Sequence, residues 1–512
     1  MPGSTQILSI NGQTFTLSGL AVVNSSGQFD LNSGTFEGDT NSGGAIFDGT
    51  LTCSGGTLSG VLTFASNAVV NLIQAFSMPV AFNTLGLTNL GTVNWVNTDL
   101  QGTSAQIFNY GLWEAQTNNT FFGGNGGTTF NNFGVLRKSG GDRDSGSTDF
   151  DSQTTFNNPG TVDCQNGLLS LDNGSGGGLF NNAANGTTFF GFFTLTGDPL
   201  FSGAGRVAGY LTGSNAMVHG IENSDYLHLF GTLTLASNNV LNLLSTYAGS
   251  FSIADGTLTN QGTVNWNSPD FSGQNARIEN HSLWDVQTNN TFHGNSSTVF
   301  NNFGVLRKSG GEANSGSTYL DQNTVFNNPG TVDCRVGQLA IGGSYTLSGG
   351  ALNFSISSSN NFGSLYLAGN ATLTEALSVN FTNGYSPVAD TSFPLVGYGS
   401  ETGIFTTLSL PHLSPGLVWQ TNYGSTTFTL IVTSAPPTQL SVAMTEDGGT
   451  LSLTWNAIVG QTYQLQYTTN LAPANWLNLG DTVTATNDTM TASEAIGQNP
   501  QRFYRLVLVW LP

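Results

Sequence analysis

Charge is scarce in this chain: 8% of its residues are Asp, Glu, Lys or Arg, against about 25% in ordinary soluble domains. What charge there is leans one way, with 30 acidic against 10 basic residues and a formal net charge of −20. A surface of that sign repels phosphate backbones and anionic headgroups, which disfavours nucleic acid and anionic lipid faces as partners. Lysine is nearly missing, and Lys138 and Lys308 are the only two. No run of about 18 apolar residues exists, so no helix is expected to span a membrane. No segment carries a sustained apolar period of 3.6, so helices should be few. G-x-S-x-G, H-E-x-x-H, Walker-type and C-x-x-C patterns are absent, and with them the support they would lend to those chemistries. Residues 1–20 show no charged segment followed by an apolar stretch. An exported protein of this sequence has therefore lost its signal or is part of a longer reading frame.

Cysteine is limited to Cys53, Cys164 and Cys334. Cys164 and Cys334 close the same motif, FNNPGTVDC, in two places. At the coil spacing argued below they stand about 34 Å apart, far beyond the reach of a disulfide. Three unpaired thiols used as buried packing are expected.

What the chain has in quantity is glycine (67 residues), aromatics (11%) and β-branched residues, a composition for β-structure with many turns. It is also duplicated. Residues 130–141 (FNNFGVLRKSGG) recur unchanged at 300–311, TNLGTVNW at 88–95 answers to TNQGTVNW at 259–266, and LTFASNAVVNL at 62–72 answers to LTLASNNVLNL at 233–243. Within each copy a shorter unit repeats: an aromatic or apolar residue, Asn, Gly, then a short apolar strand. Its glycines, Gly91, Gly111, Gly134 and Gly160, are spaced by roughly 20 to 26 residues, the coil length of a parallel β-helix. The fold expected is all-β: a parallel β-helix over residues 1–345 containing the duplicated unit (about 58–175 and 229–345), closing coils over 346–434, and a small C-terminal β-sandwich over 435–512. Roughly 15 to 20 coils follow from the length.

The strands after those glycines align as Thr92-Val-Asn-Trp95, Leu112-Trp-Glu-Ala115, Val135-Leu-Arg-Lys138 and Thr161-Val-Asp-Cys164. Alternation points the second position inward and the third outward. The outward column then stacks Glu114, Arg137 and Asp163 in the first copy and Asp285, Arg307 and Asp333 in the second, an ion-pair ladder that fixes coil register. The fourth position holds Lys138 and Lys308, whose heads are expected to snorkel out at the Ser-Gly-Gly corner.

From 345 to 432 the motif changes, and TSFPLVGYGSETGIFTTLSLPHLSPGLVWQTNYGSTTFTLIV resembles the closing segment of bacterial autotransporter passengers and filamentous-haemagglutinin-like surface proteins. That resemblance, carried over residues 55–432, implies a right-handed parallel β-helix on a secreted or cell-surface protein. No outer-membrane barrel segment follows in this sequence. Beyond a Pro-Pro linker, Trp455, Tyr463, Leu465, Trp476 and the closing FYRL at 503–506 resemble a fibronectin type III-like module, which implies spacing or surface retention.

Two classes of function are open. In the first, an adhesin or structural stalk takes polysaccharide or other surface polymers, or its own kind, on even outer faces. In the second, the chain is a polysaccharide lyase or glycoside hydrolase. A lyase needs a base beside a uronate and commonly Ca²⁺ on aspartates. Arg137, Lys138, Arg143 and Asp144 are the catalytic candidates, and Asp142, Asp144, Asp149 and Asp151 the Ca²⁺ candidates. The second copy reads RKSGGEANSG, with Glu312, Ala313 and Asn314 in place of Asp142, Arg143 and Asp144, which speaks for a stalk and against catalysis. His219, Glu222, Asp225 and His228 form a further group of metal-ligand types, read as a polar outer face. A stalk should follow its repeat evenly, whereas an enzyme should break it at one cleft with clustered carboxylates.

Overall fold

The computed structural model describes residues 6–22, 27–41, 43–74, 78–142, 146–218, 224–244, 251–267, 270–295, 297–311, 316–347, 349–435, 439–445, 449–497 and 501–509. Among them there is strand, turn and bend but no helix. Two compact units result: residues 1–414 with 419–432, and residues 415–418 with 433–512.

The larger unit is a parallel β-solenoid of about 16 turns. In the first copy each coil contributes three short strands, and each strand pairs in parallel with its counterpart one coil on. Thus Gln106–Asn109 pairs with Thr128–Asn132, Leu112–Ala115 with Val135–Lys138, and Leu100–Thr103 with Thr120–Phe122. Alternation fills the interior: Val93, Trp113, Leu136 and Val162 at the second strand position are fully buried, as are Trp95, Ala115 and Cys164 at the fourth. Aromatic rings continue from coil to coil, with Phe130 stacked on Phe156 at 5.5 Å and Trp113 edge-on to Phe130 at 5.1 Å. Burial of one such side chain contributes about 1.5 to 3 kcal/mol. All three cysteines are free and buried.

The corner glycines have a steric reason. A Cβ on Gly134 would lie 2.3 Å from the Gly111 carbonyl oxygen, and one on Gly111 would lie 2.1 Å from that of Gly91. Each corner therefore nests on the corner below, and no larger residue fits without opening the stack.

Two residues before these corners stands an asparagine that faces inward. Asn89, Asn109, Asn132 and Asn158 are fully buried, as are Asn260, Asn280, Asn302 and Asn328. In the first copy each of the first three donates from Nδ2 to the Oδ1 of the next, at 2.7, 2.8 and 2.8 Å. The second copy repeats this at 2.7, 2.6 and 2.6 Å. The other N–H reaches a backbone carbonyl on the following coil, as from Asn132 to Thr161 at 2.8 Å. A carboxamide has the two donors and one strong acceptor that such a ladder needs. It adds a side-chain donor to the carbonyl of the first residue of the following coil's strand, as at Leu112, Val135 and Thr161.

The repeat breaks after residue 350. Ala351–Ser358 and Asn361–Thr372 fold back on each other as an antiparallel hairpin at Ile356–Phe362 and Ser358–Asn361, the first antiparallel contact in the solenoid. Thr427–Ser434 then runs antiparallel to Ser392–Thr402. The smaller unit holds two three-stranded antiparallel sheets. In one, Thr450–Asn456 lies between Leu440–Met444 and Thr489–Ala495. In the other, Thr462–Thr468 lies between Leu477–Thr484 and Phe503–Val509. Leu453, Trp455, Tyr463, Leu465 and Ala485 form their shared core.

Candidate functional site

Lys138 and Lys308 do not snorkel. Both are fully buried. The Lys138 ammonium donates to the Thr117 carbonyl at 3.0 Å and to Asn118 Oδ1 at 3.2 Å, and it also bonds the Gly140 carbonyl. Lys308 bonds Thr288 O at 3.1 Å and the Gly310 carbonyl. Fixed acceptors, three at Lys138 and two at Lys308, allow an ammonium to stay inside, where the expectation had placed it in water at the corner. Burial still lowers both lysines to about 8, with the nearby cysteine (Cys164 or Cys334) and carboxylate (Asp149 or Asp285) pulling the other way. The cage explains Ser-Gly-Gly as well. Gly141 and Gly311 have φ of +93° and +94°, and a Cβ there would stand 2.5 and 2.7 Å from the lysine nitrogen. One coil on, Cys164 is in register with Lys138 and Cys334 with Lys308. Burial pushes the Cys164 thiol up to about 11, and both side chains of this pair are fully buried.

On the outer side of the same strands Glu114, Arg137 and Asp163 stand in register on successive coils, as do Asp285, Arg307 and Asp333. The direct ion pairs run to one side: Arg137 to Asp163 at 3.0 Å and Arg307 to Asp333 at 2.9 Å. Asp333 also takes Arg335 at 3.0 Å, while Glu114 accepts from Gln116 at 3.4 Å. Such half-exposed pairs contribute about 0.2 to 1 kcal/mol each.

Of the aspartates proposed for Ca²⁺, Asp142, Asp149 and Asp151 are among the described residues and form no metal-holding group there. Asp151 caps its own turn, accepting from Gly123 N at 2.8 Å and Thr154 Oγ1 at 3.0 Å, and Asp321 repeats that role on Thr324. Asp149 accepts from Ser147 Oγ at 2.5 Å, and its carboxyl is pushed up by burial. Asp142 is exposed. Arg143 and Asp144 lie outside the described residues, as do Glu312, Ala313 and Asn314 of the second copy. Among the described residues no group of three or more His, Cys, Asp or Glu could hold a metal ion.

His219 and Glu222 also lie outside the described residues, and so does the Asp225 side chain. His228 is half-buried, stacks on Tyr210 at 4.8 Å and bonds Ser252 through Nδ1. Burial lowers its basicity. Aromatic stacking recurs at the corners, Tyr110 on Phe133 and His281 on Phe303, each at 4.8 Å. The exchange of Tyr110 for His281 between copies thus preserves a stack.

Two clefts flank the hairpin at which the repeat breaks. On one side lies a polar cleft of about 670 Å³ whose walls include Asp333, Arg335, Asn353, Ser355, Asn361 and Asn380. On the other lies a cleft of about 600 Å³ formed in part by Gln338, Phe362, Ser364, Tyr366 and Gly397. Neither was expected from the repeat pattern; the signal was the loss of the Asn-x-Gly unit after residue 330. No protein-family model matches the chain, and no curated protein matches it in sequence.

Proposed function

We propose that the protein is an extracellular or cell-surface solenoid that serves as an adhesin or structural stalk and binds polysaccharide without transforming it. The observation that carries this reading is the chemistry of the clefts beside the hairpin. They offer hydroxyls and carboxamides in number but a single carboxylate, Asp333, which two arginines already hold. Glycoside hydrolysis needs two carboxyl groups about 5 to 9.5 Å apart, and β-elimination needs an uncommitted base. Lys138, the lysine among the candidates for that base, is enclosed. The smaller unit, whose sheets order the six strands as first-second-fifth and fourth-third-sixth, fits a fibronectin type III-like module used as a spacer or for surface retention.

The clefts also favour a second reading, a carbohydrate-active enzyme, since a break in the repeat is what an enzyme would need. A panel of neutral and uronate-containing polysaccharides, with and without Ca²⁺, separates the two. Retention of at least one polymer by the full chain, with no new reducing ends, supports the binding reading. Retention of none sinks it.

A further inference from the structure

We infer that the cleft beside Tyr366 is a subsite for a pyranose ring of a neutral polysaccharide. This rests on the polysaccharide-binding reading above and assigns it a place and a ligand class.

The strand Asn361–Thr372 lies between Gly337–Ile341 and Ser392–Thr402. Tyr366 is in register with Ala340 on one side and with Gly397 on the other. Both neighbours are small, and the next strand presents Thr427 opposite Gly397. The Tyr366 ring uses the room: a Cβ on Gly397 would stand 3.0 Å from its Cδ2 and 3.7 Å from its Cε2. The ring therefore rests against glycine backbone, and 39% of the residue stays exposed in the cleft it lines. This sets Tyr366 apart from most other solvent-facing aromatics; among the described residues Phe122 also has no ring against it, but it lines neither cleft beside the hairpin. Tyr110, Phe133, Tyr210 and His281 each lie against a second ring, so their faces are already covered. Among the described residues no ring stacks on Tyr366.

The polar groups around it are also uncommitted. Elsewhere on the outer faces, carboxamides and hydroxyls bond across coils, as Asn157 does to Asn131 at 2.9 Å, Asn327 to Asn301 at 2.8 Å and Ser202 to Asn181 at 2.9 Å. In this cleft, no described residue partners the side-chain polar groups of Gln338, Asn360 or Ser364. An open aromatic ring beside amides and hydroxyls matches a sugar ring, whose C–H face packs on the aromatic while its hydroxyls exchange hydrogen bonds at the rim.

The charge pattern selects the class of sugar. No Asp, Glu, Lys or Arg lines the cleft, so nothing there would pair with a carboxylate or sulfate. The chain's net charge of −20 repels polyanions besides. A volume of about 600 Å³ falls within the roughly 300 to 1,000 Å³ of small-ligand sites.

The test is affinity electrophoresis of the full chain through gels containing a galactomannan, a mixed-linkage β-glucan or polygalacturonate. Tyr366→Ala and Gln338→Ala are compared with Tyr110→Ala, an exposed aromatic outside the cleft, and circular dichroism checks each fold. The inference expects retardation by a neutral polymer, weakened about thirtyfold or more by Tyr366→Ala, the size of one interface hot spot, and unchanged by Tyr110→Ala. Retardation that Tyr366→Ala leaves intact overturns this subsite while leaving polysaccharide binding standing. Stronger retardation by polygalacturonate than by either neutral polymer overturns the ligand class. No retardation by any polymer removes the polysaccharide reading itself and the subsite with it.

Discussion

At Lys138 and again at Lys308 a fully enclosed ammonium meets equivalent carbonyls in the two copies of the duplicated unit. A short way along the same coils the copies part. The first has Asp149 followed in register by Ser170, both in hydrogen bonds with neighbouring side chains. The second has Tyr319 followed by Ala340, and that column leads on to Tyr366. A caged ammonium cannot change by steps, because removing any one partner leaves buried polar groups unsatisfied. An outward column has no such constraint. Identity between the copies therefore marks structural parts here, and divergence marks the surface on which binding could arise.

Breaking the caged corner should have the largest effect. Lys138→Ala or Lys308→Ala leaves several buried acceptors without a donor, each costing about 1 to 3 kcal/mol, and should destabilise the chain in either copy. Denaturant unfolding with hydrogen exchange over the flanking coils would locate the damage, since solenoid coils couple to their neighbours. If the lysines were catalytic instead, these substitutions would leave stability nearly unchanged.

The same corner carries a pH signature. Each lysine falls from the usual 10.5 to about 8 in the folded chain, so between those values the unfolded chain binds more protons than the folded one. Stability contributed at this position therefore rises with pH from about 8 to 10.5 and is level on either side. Measured against Lys308→Met, which does not titrate, the native chain should gain through that window. A flat difference would mean that the ammonium is not desolvated.

Smaller again is the effect of one rung of the inner ladder. Asn132→Ala and Asn302→Ala each deprive the buried carboxamides on the neighbouring coils of a partner, and should cost about 1 to 3 kcal/mol in thermal or denaturant unfolding. Asn131→Ala, on the outer side of the same strand, loses bonds that water can replace and should cost less, about 0.5 to 1 kcal/mol. Equal effects at 131 and 132 would contradict the inward ladder.

Much of the solenoid was legible because its signals are periodic. The glycine spacing fixed the coil, and two-residue alternation placed Val93, Trp113, Leu136 and Val162 inside, where they are. The register of Glu114, Arg137 and Asp163 could be laid out by hand for the same reason. What was not legible depended on partners remote in sequence. An asparagine before a glycine reads as a turn residue, and only stacking reveals that it points inward to bond the next coil. The lysine was misplaced because its acceptors, Thr117 and Asn118, sit about 20 residues earlier on a neighbouring coil. Identical Arg-Lys-Ser-Gly-Gly at both sites was the signal that could have found it. The Tyr366 cleft lies where the repeat fails, and Ala340 and Gly397 mean nothing until register sets them beside the ring.

The most direct test of the central claim, that this solenoid binds without chemistry and that its repeated Arg-Lys corners are structural, is a product assay on the purified full chain. Incubated with the polysaccharide panel, with and without Ca²⁺, it should release no unsaturated products absorbing in the ultraviolet and no reducing ends. Product formed from any polymer by the native chain, and lost in a folded Lys138→Met variant, would contradict the account and place catalysis at the corner assigned here to structure.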